Sequence, residues 1–301
     1  MKKQLIKISV VIPSLHSTFI DKTLTTIRNQ NFNMDVVEVL VVGLDSPNLI
    51  EEDQIVSFIS TGEPVSPAIA RNIGIKRARG EFICFTDADC LPDKNWLKYL
   101  STLIEETNYK IVGGSVVFDT DSYWTWCDNL SWFHEFLPHS EQSERGFLPS
   151  LNLMVHCSVI DKVGLFDESY PYPAGEDADW TIRMRMDGYK LYFEPSAKIK
   201  HCHNRTNLKT IWQHGFIYGK SSVKINPKYR TFLNTPFFLK QWWLLAILTP
   251  FITTGVVIRI WLKQPNWKQA TLVVPGIFIT KLAWCMGAIS TLQQKNRNNG
   301  H

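Results

Sequence analysis

Two aspartates one residue apart, in Thr86-Asp87-Ala88-Asp89, follow directly on the apolar run Phe82 to Phe85. Carboxylates at that spacing after a strand can address neighbouring points of one ligand. One can accept hydrogen bonds from ribose hydroxyls while the other binds a hard divalent cation through oxygen. Mg2+ or Mn2+ in such a place neutralises a diphosphate and stabilises it as it leaves. Paired acids also cap turns, so the spacing gains meaning only from its company.

That company lies on both sides. Upstream, Arg71 in Ala70-Arg71-Asn72-Ile73-Gly74-Ile75 could present a planar cation to a phosphate or a nucleobase carbonyl. A surface ion pair is the plainer expectation for an arginine on a helix. Downstream, Gly175-Glu176-Asp177-Ala178-Asp179-Trp180 opens another helical stretch. A carboxylate there can stabilise the helix N-terminus or serve as a general base at a reacting carbon. His201 and His203 stand two apart on an expected strand and would face one side. A zinc site would need a second ligand pair, which the chain does not offer. One imidazole joining a carboxylate on a divalent metal is the simpler reading.

The elements that must position these groups alternate. Ile6 to Ile12 is an apolar run expected to stop at Pro13, and Phe19, Leu24 and Ile27 recur at helical spacing. Val36 to Val42 and Ile55 to Ile59 read as strands. Ser66 to Arg79 reads as a helix with Ser66 as N-cap, Pro67 at its first position and Gly80 past its end. Continuous apolar strands separated by helices predict an α/β fold, a mainly parallel sheet covered on both faces. Ligands of such sheets bind beyond the carboxyl ends of the strands, where the aspartate pair falls. Tyr123 to Phe136 is rich in aromatics, which points to core packing before an acceptor wall or a membrane-facing lid.

Charge is distributed unevenly. All 28 acidic residues lie at or before Glu194, with 17 basic residues up to that point and 15 beyond it. The first part therefore carries −11 (17 − 28) and the remainder +15. A basic tail predicts an anionic partner. Beyond Pro236, Trp242 to Ile258 and Leu272 to Ile289 are apolar apart from Lys281 and near the length of a membrane span. Lipid is thus the expected anion, and nucleic acid is not. A membrane hairpin, interfacial helices and a buried soluble pair are all compatible with the pattern, and Lys281 needs a partner if it lies in lipid. Met1-Lys2-Lys3 is followed by too short an apolar run for a secretory signal. Six cysteines without a CxxC pair are expected to be reduced.

Taken together, the residues from Ile6 to Ser221 resemble family 2 of the inverting glycosyltransferases. The resemblance is carried by Ser9-Val10-Val11-Ile12-Pro13, the ARNxGI helix, Arg79-Gly80-Glu81 before the aspartate pair, and Asn152 in Ser150-Leu151-Asn152-Leu153. Val163-Gly164-Leu165-Phe166-Asp167 and Glu176-Asp177-Ala178-Asp179-Trp180 complete the series. It implies a GT-A-type, Rossmann-like catalytic domain, and the change of composition at Pro236 divides the chain into that domain over residues 1–235 and an expected membrane-associated helical segment over 236–301. It implies a nucleotide-diphosphate-sugar donor and a hydroxyl acceptor, for which a lipid-linked molecule or a cell-envelope glycan would suit a chain on the cytoplasmic face of a membrane. Pro13, Asp45, Arg71 and Asp87 would bind the nucleotide. Asp89 and His201, with His203 as the alternative, would hold Mg2+ or Mn2+. Asp177 would be the general base, with Glu176 orienting the acceptor or the base.

Two departures stand out. The family usually has two adjacent aspartates after its second strand, but here the run is Val42-Gly43-Leu44-Asp45, so Asp45 would substitute from one residue on. The QxxRW motif of processive synthases is absent, which favours single addition. A nucleotidyltransferase would need a glycine-rich phosphate loop after the first strand, where Pro13-Ser14-Leu15-His16-Ser17 has no glycine. A non-catalytic sugar- or lipid-binding homologue would not need to retain Asp87, Asp89 and Asp177.

Overall fold

The computed structural model describes residues 5–298, so the basic Met1-Lys2-Lys3 opening lies outside the described residues. In chain order the strands and α-helices are β1 (Ile8–Leu15), α1 (Ile20–Arg28), β2 (Val37–Leu44), β3 (Val56–Ser60), α2 (Pro67–Arg77), β4 (Phe82–Thr86) and β5 (Cys90–Pro92). There follow α3 (Trp96–Glu106), β6 (Ile111–Val117), α4 (Tyr123–Phe133), β7 (Ser143–Arg145), β8 (Asn152–His156), α5 (Cys157–Val163), α6 (Glu176–Met186) and β9 (Leu191–His201). The last are α7 (Leu208–Lys220), α8 (Trp242–Leu262), α9 (Trp267–Ala270) and α10 (Val274–Asn298).

These pack as two compact units. One holds the chain up to Val117 together with Phe136–Cys202, and the other holds Phe118–Glu135 and the chain from His203 onward. Residue 236, the boundary expected from composition, falls inside the second unit. Contacts made by α4 and α7 draw that unit's edge well upstream of the apolar segments.

The first unit contains the sheet, ordered β3-β2-β1-β4-β8-β6-β9-β5, with β7 also on β9. Strands β1 to β4 are mutually parallel, β8 is antiparallel to β4 and β6, and β9 is parallel to β6. Six strands thus run one way and β5, β7 and β8 the other. The β-branched runs of β1 and β2 are buried on both faces, as strands covered by helices must be. The amphipathic α1 buries Ile20, Leu24 and Ile27, and α3 buries Trp96, Leu97, Leu100 and Ile104. Such side chains each contribute roughly 1.5–3 kcal/mol on burial.

Pro13 does not end β1, which continues to Leu15. The His16 N–H donates to Leu44 at 2.8 Å, so by alternation the Pro13 nitrogen points to the β4 side. Pairing with β4 has ended there at Val11 opposite Phe85, so the missing donor forfeits no ladder bond. Helix α2 is capped by the Ser66 hydroxyl accepting from Ile69 N, but it ends at Arg77, with Ala78 already extended. Gly80 instead donates its N–H to the Ser9 hydroxyl at 2.8 Å.

In the second unit α10 packs on α4, α7 and α8. All six cysteines are free thiols.

Candidate active site

Strand ends of the first unit present the expected residues together. Thr86 closes β4, and the turn after it is held because the hydroxyls of Ser17 and Thr23 both donate to the Ala88 carbonyl, at 3.0 and 3.1 Å. Neither hydroxyl was expected to matter. Extending the β1–β4 register by two residues sets Pro13 level with Asp87. Asp45 follows β2, and its Oδ2 accepts from Ile50 N at 2.8 Å, capping the turn. Its Oδ1 is buried with no protein partner.

Arg71 is not a surface ion pair. Its side chain is 3% exposed, and Nη1 donates to Glu176 Oε1 while Nη2 donates to Asp87 Oδ1, both at 2.8 Å. One guanidinium thus ties α2, the β4 aspartate and the start of α6 into a single charged cluster. Its planar fork is what lets it reach two carboxylates at once. Burial disfavours its charge, but Asp87, Glu176 and Asp177 outweigh that and push its pKa up. The Arg71 Nε and Glu176 Oε2 remain buried without partners, so the cluster keeps unused polar capacity.

Gly175, at φ 90°, caps α6 in a conformation that glycine adopts without cost. The turn delivers Glu176 and Asp177 to the helix N-terminus, where the peptide dipoles favour anions. Glu176 is buried, and its pKa is pushed up to about 7 by burial and then by the Asp177 charge, against the opposing pull of Arg71. Half-buried Asp177 is also raised, by burial first. Its Oδ2 accepts from Ser150 N at 3.3 Å and its Oδ1 from Ala178 N at 2.7 Å, and these bonds and Arg71 moderate the shift. Three carboxylates around one guanidinium leave the cluster net anionic, so one of the adjacent pair readily holds a proton near neutrality.

Asp89 lies beside the end of β9, where Cys202 N donates to the Asp89 carbonyl at 2.8 Å. His201 Nε2 is 3.8 Å from Asp89 Oδ2. That separation is too long for a hydrogen bond and leaves room for a shared ion. Asp89, Cys90 and His201 offer ligand atoms all within 4.8 Å of one another. Burial pushes the Cys90 thiol up, so it stays protonated, and the carboxylate and imidazole make the fitting donor set for a divalent cation. Cys90 was the member of this group that spacing did not suggest.

His203 does not share this place. Strand β9 ends at His201, so strand alternation no longer relates the two histidines. His203 belongs to the second unit, with Nε2 at 3.4 Å from Asp128 Oδ2. Asp128, buried on α4, also accepts from Arg205 Nε at 2.6 Å, His214 Nδ1 at 2.8 Å and Trp132 Nε1 at 3.1 Å. Burial opposes its ionisation, but the bonds from His214 and the nearby Arg205 and His203 hold it far below the usual carboxylate range. Burial pushes His214 down, so it acts as a neutral donor and Arg205 supplies the counter-charge. The aromatic stretch thus hides a polar hub, while Trp124, Trp126 and Trp132 themselves are half-buried.

Several other motif residues are scaffold. Asn72 donates to Phe166 O and accepts from Phe166 N, both at 2.9 Å. Trp180 Nε1 donates to Gly164 O at 2.8 Å, and Arg183 donates to Val163 O and Leu165 O. Asn152 donates to the carbonyls of Ser115 and Ala197 and accepts from Trp96 Nε1.

Known proteins resemble this chain in sequence and in fold. The chain is 27% identical to the glycosyltransferase AglE of Haloferax volcanii over 92% of its own length and 91% of that protein. The fold resembles the mannosyltransferase PcManGT of Pyrobaculum calidifontis, solved with GDP-Man and Mn2+. The TM-score is 0.61 at 16% identity, over 96% of this chain and 88% of that one. It also resembles TarS 1-349 of S. aureus, solved with UDP-GlcNAc, with TM-score 0.52 and 15% identity over 98% and 92% of the two chains. These are nucleotide-sugar-binding neighbours of GT-A fold. The model of glycosyl transferase family 2 matches residues 9–165, which carry the β1 to β4 ladder, Arg71, Asp87 and Asp89. As that match takes in more than half of the chain, this glycosyltransferase belongs to glycosyl transferase family 2.

Proposed function

We propose that the enzyme is metal-dependent and inverting, moving a sugar from a nucleotide-diphosphate donor to an acceptor hydroxyl. The observation that carries this reading is the buried Arg71 bridging Asp87 and Glu176, with Asp177 beside it and with Asp89, two residues after Asp87, facing His201 at the end of β9. A net-anionic cluster at strand ends with unused polar atoms is suited to a cation and to ribose hydroxyls. The Mn2+ and GDP-Man held by the Pyrobaculum neighbour support a donor and an ion of these classes.

In this reading Pro13, Asp45, Arg71 and Asp87 bind the nucleotide, with Asp45 offering Oδ1 and Asp87 accepting from the ribose. Asp89 and His201 would hold Mg2+ or Mn2+, which when bound supplies positive charge to a leaving diphosphate. Asp177 takes the proton from the acceptor hydroxyl as its oxygen attacks the anomeric carbon. The bond from that carbon to the phosphate oxygen breaks, and the nucleoside diphosphate leaves with the bonding pair. Glu176, fixed by Arg71, orients the base and the acceptor. Attack on the face opposite the leaving group inverts the centre, and holding both partners in line is the main source of rate.

We further propose attachment to the cytoplasmic face of a membrane through the two apolar helices, with a lipid-linked or cell-envelope glycan acceptor. The described residues contain two helices long and apolar enough to cross a membrane by length and composition. A screen of nucleotide-sugars for Mn2+- or Mg2+-dependent binding and hydrolysis tests the catalytic reading. Metal-independent hydrolysis, or a nucleoside triphosphate as the sole substrate, would overturn it.

A further inference from the structure

Helix α8 is apolar on nearly every side, so its outward face is as apolar as its buried one. Its buried face is Leu245, Thr249, Thr253, Val257 and Ile260, and so contains two threonines. The Thr249 hydroxyl donates to Leu245 O at 2.7 Å, and Thr253 meets Cys285 Sγ at 3.8 Å. Outward it shows Trp243, Ile247, Phe251, Ile258 and Leu262, with Phe251 75% exposed. Water would reverse that arrangement, whereas lipid favours it.

Charge says how the helix meets the lipid. Lys240 precedes α8, while Arg259, Lys263 and Lys268 lie at or after its far end. A crossing helix would carry basic groups to both sides of the bilayer, against the rule that keeps them on one. A helix lying flat sets both ends against the same anionic headgroups, each cation adding attraction. The chain after Glu194 has no acidic residue, and the acid at this end of α8 is Glu135 of the same unit, whose Oε1 lies 3.4 Å from both Arg259 and Lys263.

Packing bears on α10 separately, because the helices that cover it carry polar groups. Gly276 N donates to the Tyr123 hydroxyl of α4, Lys281 Nζ donates to Ser131 O at 2.7 Å, and that ammonium lies 4.0 Å from the Trp132 ring centre. Helix α7 abuts the next turns so closely that a Cβ at Gly219 would fall 2.0 Å from Trp284 O, and one at Gly287 2.0 Å from Phe216 O. From Gly276 to Thr291 one side of α10 is therefore covered by α4 and α7, and half of its apolar stretch is buried. Helix α7 turns Lys209 and Gln213 outward, which hydrocarbon disfavours.

We infer that the second unit is a one-leaflet platform: the outward face of α8 is embedded in an anionic lipid surface, and neither α8 nor α10 crosses the bilayer. This rests on the membrane attachment proposed above and adds its mode. The test uses the full chain expressed in a bacterial host, with Lys240→Cys or Lys268→Cys, in sealed inverted membrane vesicles. A membrane-impermeant maleimide is applied without detergent, and the unsubstituted chain is the blank for its own thiols. The expected result is labelling of both sites within about twofold of each other, and unchanged by detergent. Labelling of Cys at 240 with protection at 268 until detergent is added would overturn the inference while leaving membrane attachment standing. Recovery of the full chain wholly in the soluble fraction would overturn both. Phe251→Glu, at a position that supports no packing, should lower the membrane-bound fraction about tenfold or more, as expected for losing one large buried apolar group. Unchanged binding of Phe251→Glu would also count against the embedded face.

Discussion

Replacing Arg71 by lysine keeps the charge and removes the fork. Arg71 spans Glu176 and Asp87 with two bonds of 2.8 Å from separate nitrogens, and its side chain is 3% exposed. A single ammonium cannot hold both carboxylates in that geometry. Glu176, 5% exposed, should retain the cation, since an uncompensated buried carboxylate costs more than one near solvent, and Asp87 is 30% exposed. The fold should therefore survive while Asp87 loses its anchor. One charge-assisted bond to a partly buried carboxylate is worth about 1.5–3 kcal/mol, which is roughly a ten- to hundredfold loss in donor affinity. Calorimetric titration of a nucleoside diphosphate with Mn2+ reads that loss, and a melting curve checks that the chain still folds. Turnover at saturating donor should fall much less, because the anchor acts on binding. Unchanged affinity in a folded Arg71→Lys, or a collapse of turnover with affinity intact, would refute the idea that Arg71 acts through Asp87.

Asp177→Asn should lower turnover about 100- to 10,000-fold with donor affinity nearly unchanged, as expected for a lost general base, and steady-state kinetics beside donor titration separate the two. Asp89→Asn should cost on the order of 3 kcal/mol in the transition state, about a hundredfold in rate, and excess chelator should depress the parent at least as far. The proton held by Glu176 makes its contribution to stability present below the ordinary glutamate range and lost as pH rises through about 7. Glu176→Gln, which never has to ionise, should therefore gain melting temperature relative to the parent between pH 5 and 7.5. In the second unit, Asp128→Asn should cost about 3–5 kcal/mol by stripping the buried carboxylate from Arg205 and His214, seen as a lower denaturation midpoint.

Much of the candidate site's layout was legible in the sequence because its signals are local. The strands before Asp45 and Asp87 are apolar runs, and such runs announce both the strand and the end at which polar residues gather. Ser66 and Pro67 mark the start of α2 by capping chemistry that acts within four residues. The Gly175 turn and the acids after it likewise belong to one helix start. The position of Arg71 was legible but its setting was not. Its partners lie 16 and 105 residues away, and no local pattern shows which face of a short helix will be buried beside them.

The same distinction separates His201 from His203 and explains Asp128. Two histidines two apart look equivalent as long as the strand continues, and only hydrogen bonding across the sheet ends β9 between them. Asp128 sits in a stretch that reads as aromatic packing, and the Arg205 and His214 that bond it come from 77 and 86 positions on. Lys281 looked like a cost in lipid until α4 supplied Ser131 and Trp132 as its partners. Residue type and spacing were thus enough for the strands, the caps and the placing of acids at strand and helix ends, since those depend on neighbours a few bonds away. Which carboxylate meets which cation, and which side of an apolar helix is left outward, depended on packing between distant segments, and that exists only once the chain has folded.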